Sequence, residues 1–406
     1  MIYTDEYIDL EEKYSAHNYH PLPVVISKGE GVYVWDVEGK KYYDFLSAYS
    51  ALNQGHCHPR IIDALISQAK ELHLVSRAFH NDLLGEYSQF MCNLFGYDKL
   101  LPMNSGAEAV ETSLKLARKW AYEKKGIAPN EAVILVCSDN FHGRTISIVS
   151  MSTDPESRGN FGPHTPGFQV IEYNNVDALA TALENKNVAA FLIEPIQGEA
   201  GVQIPHEGYL AKAYQLCKQS NVLFIADEIQ TGIGRTGKML ACDHEGVHAD
   251  MLVLGKALSG GVLPVSAVLC SDEVMLCIKP GQHGSTYGGN PLACRVAMAA
   301  MSVVLDERLP ENAARLGNLL KSELIRLQSQ TTIISAVRGK GLFCAIDIIP
   351  EGNINAWNVC MKFKENGLLA KPTHDYIIRF APPLIISEEQ LMDCIDIIRT
   401  SILSMK

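Results

Sequence analysis

Between about residues 60 and 300 the chain alternates short apolar runs with stretches of helical periodicity. The runs are 132–137, 188–193 (VAAFLI), 222–226 (VLFIA) and 251–254 (MLVL), and a helix is predicted over 107–125. Strand-length apolar runs separated by amphipathic helices predict a mostly parallel sheet with helices on both faces. Upstream, residues 31–46 alternate around Glu38-Gly39, the signature of a hairpin. Downstream, a long helical stretch at 291–329 leads to short strands near 341–348 and 376–380 and a closing helix near 387–403. The pattern divides the chain into an N-terminal arm with a β-hairpin (1–55) that packs with the small domain, a large α/β domain (56–295) and a smaller C-terminal α+β domain (296–406).

Composition narrows the function classes. The chain has 406 residues, 47% hydrophobic and 20% charged, with a formal net charge of −11. That balance suits an ordered globular protein, and with no basic cluster it argues against a nucleic-acid partner. No apolar run approaches the ~20 residues needed to span a bilayer. The first twenty residues carry Asp5, Glu6, Asp9, Glu11 and Glu12 against a single Lys13, unlike an Arg-rich transit peptide, so the expected address is cytoplasmic unless a leader has been trimmed. Eleven cysteines, mostly inside apolar runs, read as reduced core thiols.

In parallel sheets, ligands gather beyond the carboxyl ends of the strands. There the sequence places Glu194-Pro195-Ile196-Gln197-Gly198-Glu199, then Asp227-Glu228-Ile229-Gln230, then Gly255-Lys256. A desolvated lysine loses its proton readily and attacks carbonyls, which makes Lys256 a candidate Schiff-base residue; taken alone, an ordinary ion pair across strand ends explains it better. Asn104-Ser105-Gly106-Ala107 opens directly into a helix, whose first-turn N–H groups suit a phosphate or simply a cap. Phe141-His142-Gly143-Arg144 offers an aromatic face and a carboxylate fork; His142 alone reads as a hydrogen-bonded structural histidine, and no spacing suggests a metal site.

Taken together, these segments resemble the class III aminotransferases, enzymes of pyridoxal 5′-phosphate (PLP) fold type I. The likeness is carried by DEIQTGIGRTG at 227–237, LGKALSGG at 254–261 and GSTYGGNP at 284–291. AHNYHPLPV (16–24), DFLSAYSALNQGHCHP (44–59), NFHGRT (140–145), EPIQGEAGV (194–202) and RFAPPL (379–384) extend it.

The resemblance implies that Lys256 bonds PLP covalently, Asp227 pairs with its pyridine nitrogen and Gln230 contacts its ring hydroxyl. Phe141 and Ile229 would sandwich the ring beside His142, and Ser105, Gly106 and Ala107 would cradle the phosphate. Ser285 and Thr286 would reach across from a neighbouring subunit, which implies a homodimer. Ile229 stands where many relatives carry Val, and Ala107 where a larger residue can occur.

The implied activity is transfer of the δ-amino group of L-ornithine to 2-oxoglutarate, giving glutamate 5-semialdehyde and glutamate and linking ornithine to proline metabolism. Tyr19 and Tyr49 would position the α-amino end of ornithine and Arg144 a distal carboxylate. Glu199 would neutralise Arg379 until the oxo acid arrives. Acetylornithine, 4-aminobutyrate and aminomutase activities share the cofactor residues, and a catalytically silent scaffold is the alternative of another kind.

Overall fold

The structure, a computed structural model, describes residues 4–405. Its strands in chain order are β1 (Ile26–Glu30), β2 (Tyr33–Asp36), β3 (Lys41–Asp44), β4 (Lys99–Met103), β5 (Val133–Cys137), β6 (Phe168–Ile171), β7 (Val188–Ile193) and β8 (Leu223–Asp227). They continue as β9 (Met251–Leu254), β10 (Ser266–Cys270), β11 (Ile334–Lys340), β12 (Phe343–Ile348), β13 (Leu368–Leu369), β14 (Lys371–Thr373) and β15 (Ile377–Phe380).

Seven strands form the central sheet, in the order β4-β10-β9-β8-β7-β5-β6. All neighbours from β9 to β6 pair in parallel, and β10 alone runs antiparallel to both its partners. Helices cover both faces. Every residue of β7, VAAFLI, is therefore buried, which is why it reads as an unbroken apolar run instead of an alternation.

Local chemistry sets the elements that carry function. The hairpin turn between β2 and β3 is held by the Asp36 carboxylate, which accepts from Glu38 N–H at 3.0 Å and Lys40 N–H at 2.8 Å, with Gly39 in the left-handed region (φ 86°). The helix Gly106–Trp120 buries Ala109, Val110, Leu114, Leu116, Ala117 and Trp120, an apolar stripe at helical spacing. It runs on as a π turn over Ala121–Lys125, as far as the predicted helix reached.

The predicted helix over 291–329 is two helices, Pro291–Asp306 and Leu309–Gln328. Arg308 between them adopts φ 53°, and Pro310 has no N–H to continue the first helix, so the chain turns there.

Two smaller sheets complete the fold. One has the order β1-β2-β3-β13, with β13 parallel to β3, so the N-terminal hairpin and the C-terminal section share a sheet. The other is antiparallel, β11-β12-β15-β14, with β14 at its edge. All eleven cysteines are free thiols, nine of them buried. Among the described residues no helix is long and apolar enough to cross a membrane.

Candidate active site

Adjacent parallel strands bring their carboxyl ends into line about 4.8 Å apart. Asp227 ends β8, Glu194 directly follows β7 and Lys256 stands two residues beyond β9. These three line one cavity of about 220 Å³ with Gly106, Ala107, Phe141, His142, Ile229 and Gln230. Residues up to 150 positions apart in the chain thus share one chamber.

Lys256 projects into this chamber with a left-handed backbone (φ 41°), an unusual conformation for a residue with a side chain and a mark of a functional position. Its amine faces the cavity yet lies deep in the protein. Burial holds its pKa below the usual lysine range, against the opposing charges of Glu199 and Asp227. An amine held this way is available as a nucleophile and as a proton carrier.

Asp227 is buried, accepting from Ile229 N–H at 3.1 Å and lying 2.6 Å from His142 Nδ1. The partnership favours the imidazolium, and His142 is raised above its ordinary value even though burial works the other way. His142 is thus both things the sequence suggested: hydrogen-bonded and part of the chamber wall. Glu194 accepts from Phe141 N–H at 3.0 Å, and burial raises its pKa to about 8.

Ser105 caps the helix Gly106–Trp120. Its hydroxyl accepts from Glu108 N–H at 3.2 Å, while the Glu108 carboxylate accepts from Ser105 N–H at 2.9 Å, a reciprocal capping box. Gly106 and Ala107, whose first-turn N–H groups have no intrahelical acceptor, line the cavity, and Ser105 itself stands outside the lining. A Cβ on Gly106 would sit 3.1 Å from Ile229 Cδ1, so glycine lets the helix end close down on that wall.

The other end is built around Arg379 on β15. Its guanidinium forks onto Glu199, Nη1 to Oε1 at 2.7 Å and Nη2 to Oε2 at 3.0 Å, and Nη1 also reaches Gly198 C=O at 3.1 Å. Burial raises the pKa of Glu199, but the Arg379 charge and hydrogen bonds outweigh it and the net shift is downward. Gln230 Nε2 donates to Glu199 Oε1 at 3.2 Å and to Tyr49 C=O at 3.4 Å. Gln230 therefore bridges the lysine chamber to the arginine end. The Tyr49 ring lies 5.5 Å from the Arg379 guanidinium carbon. Tyr49 is presented by four consecutive residues, Ser47 to Ser50, all with positive φ. Such a run without glycine is strained and persists only where packing enforces it.

The remaining predicted residues lie around the cavity, outside its wall. Arg144 is exposed, stacked 5.4 Å from the Phe141 ring and donating to Ser157 Oγ at 2.8 Å. Tyr19 is 71% exposed, with the Lys371 ammonium 5.5 Å from its ring. Ser285 is engaged with Asn104 Nδ2 at 2.9 Å, and Thr286 borders a separate open cleft of about 520 Å³ with Arg77. Glu194, whose signal was an acid directly after the most apolar strand, was given no role from sequence, nor were Ile196 and Thr231, which also line the cavity; Lys371 carried no signal because its place opposite Arg379 arises only from strand pairing.

Compared with known proteins, residues 14–402 match the family model for aminotransferase class-III. The chain belongs to the class III aminotransferases. It is 62% identical over 395 residues to the mitochondrial ornithine aminotransferase of Drosophila melanogaster, covering 97% of this chain and 91% of that one. The crystal structure of the ornithine aminotransferase of Toxoplasma gondii superposes with a TM-score of 0.98 at 50% identity, covering 100% of this chain and 96% of the other. The structure of an acetylornithine aminotransferase from Elizabethkingia anophelis is similar with a TM-score of 0.91 at 59% identity, each chain fully covered.

The likeness corrects one expectation. The cytoplasmic address does not stand, because the fly enzyme and other animal relatives are named as mitochondrial. The acidic start of the chain, read as the lack of a transit peptide, is part of a folded helix, Thr4–Tyr14, and its charge carries no address.

The cofactor of the class is PLP, and the chamber suits it. Helix first-turn N–H groups stand ready for a phosphate and Phe141 and Ile229 give apolar walls for a ring. A buried carboxylate, Asp227, could pair with a ring nitrogen, and a proton-poor amine, Lys256, is available for an aldehyde.

Proposed function

We propose that the chain transfers the δ-amino group of L-ornithine to 2-oxoglutarate, with Lys256 as the catalytic amine and Glu199 and Arg379 as the group that tells the two substrates apart. The observation that carries this reading is the forked Glu199–Arg379 pair beside Tyr49. With its fork filled, Arg379 offers nothing to an α-carboxylate, so a donor is left to approach the lysine by a distal amine.

PLP, when bound, supplies an electron sink for the charge left on a carbon that loses its proton. Asp227, fixed by His142, would present a carboxylate to the ring nitrogen and keep a proton there. Ile229 and Phe141 would flank the ring, and the N–H groups of Gly106 and Ala107 would hold the phosphate. Lys256 Nζ, already inclined to give up its proton, takes the proton from ornithine's δ-carbon and later returns one to the α-carbon of the oxo acid. Arg144 holds the distal carboxylate of either substrate, while the hydroxyls of Tyr19 and Tyr49 take the α-amino end of ornithine. Glu199 leaves Arg379 when the α-carboxylate of 2-oxoglutarate competes for the fork.

The unit that does this is proposed to be a homodimer. Ser285 and Thr286 lie outside the chain's own chamber, on a loop bordering an open cleft, where they can serve the phosphate of a neighbouring subunit. Acetylornithine is the rival donor, favoured by the Elizabethkingia relative. A panel of ornithine, acetylornithine and 4-aminobutyrate with 2-oxoglutarate, trapping the semialdehyde, tests the reading. Ornithine is expected to lead, and a preference for either alternative overturns it.

A further inference from the structure

Lys371 is a half-buried ammonium that makes no ion pair among the described residues. It stands opposite Arg379 in the β14–β15 register, and directly opposed residues of an antiparallel pair leave the sheet on the same face. Its Nζ lies 5.5 Å from the Tyr19 ring, at the substrate end of the site. Two cations, Arg379 and Lys371, therefore stand side by side, and only Arg379 holds an anion, Glu199. Burial and the neighbouring Arg379 charge both push Lys371 below the usual lysine range, with Glu199 opposing. Like charges opposed across strands are unfavourable, and a second anion entering the site would relieve the surplus.

We propose that Lys371 is a positioning residue that receives the Glu199 carboxylate when the carboxylate of an incoming 2-oxo acid displaces it from Arg379. The proposal rests on the switch reading of Glu199 and Arg379. One guanidinium fork holds one carboxylate in two parallel hydrogen bonds, so a second must displace the first. A displaced carboxylate left buried without a cation would make the exchange costly. Lys371 stands beside Arg379 on a flexible stem with a point charge that needs no fixed fork geometry. After the exchange two ion pairs replace one pair and a lone cation, and the cluster is neutral. With ornithine Glu199 stays on Arg379, and Lys371 has no part.

The test is steady-state kinetics of the holoenzyme carrying Lys371→Gln, Lys371→Arg, Glu199→Ala and Glu199→Ala with Lys371→Gln. Lys371→Gln is expected to raise KM for 2-oxoglutarate about tenfold while moving KM for ornithine several-fold less, and Lys371→Arg should restore most of the loss. In the Glu199→Ala background Lys371→Gln should add less than about twofold, because nothing remains to be received. An equal rise in both backgrounds would show that Lys371 binds the oxo acid itself and overturn the proposal. So would equal losses in both half-reactions, which mark a packing role, or a KM that does not move. If Glu199→Ala alone leaves the choice between δ- and α-amines unchanged, the switch reading falls, an outcome read without any Lys371 variant.

Discussion

Glu199 and Arg379 are 180 positions apart in the chain and joined by two parallel hydrogen bonds of 2.7 and 3.0 Å, with the arginine almost wholly buried. Removing one partner of such a pair leaves the other charge unpaired, at a cost of about 3–5 kcal/mol when nothing replaces it. In Glu199→Ala a substrate α-carboxylate is the natural replacement. The variant is expected to gain at least about tenfold in reaction with glutamate relative to ornithine, each measured as a single-turnover half-reaction. An unchanged ratio would remove Glu199 from the choice of substrate.

Lys256→Ala deletes the amine that lines the chamber at the end of β9. Loss of a general acid–base alone costs about 10²–10⁴-fold, and loss of the nucleophile adds to it. Turnover should fall by at least about a thousandfold while the fold, followed by circular dichroism, stays intact. Full turnover would mean that another residue carries the proton.

Much of the cofactor end was legible because each of its residues follows an apolar run: Glu194 after β7, Asp227 closing β8 and Lys256 after β9. Burial on both faces writes those strands plainly. Three strands of the sheet were not predicted: β6 (FQVI, half exposed) and β4 (carrying Pro102) are edge strands that do not read as apolar runs, whereas β10 (SAVLC) is wholly buried but offers only three apolar residues between Ser266 and Cys270. The substrate end was less legible from the residues alone. Ser47-Ala48-Tyr49-Ser50 takes a left-handed turn with no glycine or asparagine to announce it. Likewise, the pairing of Lys371 with Arg379 exists only once β14 meets β15. Family resemblance implied that Glu199 meets Arg379, but nothing in the residues between them announces the contact, which tertiary packing makes.

Gly198 tests how tightly the two ends of the site are joined. A Cβ there would fall 1.6 Å from Gln230 Oε1 and 2.9 Å from Phe343 Cζ, so Gly198→Ala must drive the Gln230 amide away. Gln230 bridges Glu199 and the Tyr49 carbonyl, and its displacement loosens both. Overpacking of this kind costs about 1–3 kcal/mol. The expected result is a lower melting temperature together with a rise in KM for ornithine, and loss of stability with unaltered kinetics would show that the bridge is dispensable.

Glu194 and His142 each contribute to the pH dependence of stability. Burial raises the Glu194 pKa to about 8, and the Asp227 partnership raises that of His142 against its burial, so at these two groups the folded chain holds more protons than the unfolded one. Their contribution to the slope of unfolding free energy with pH is then negative: for Glu194 stability falls from about pH 4.5 to about pH 8, and for His142 it is lost as pH climbs above about 6.5 through its raised value. Glu194→Gln keeps an acceptor for Phe141 N–H but cannot ionise, so it removes the Glu194 share of the slope. Urea unfolding at pH 5.5 and 8.5 should show wild type losing more stability over that interval than Glu194→Gln, by on the order of 1 kcal/mol or more. Parallel losses in the two proteins would mean that Glu194 is ionised throughout and that its carboxylate is held by charge rather than by burial.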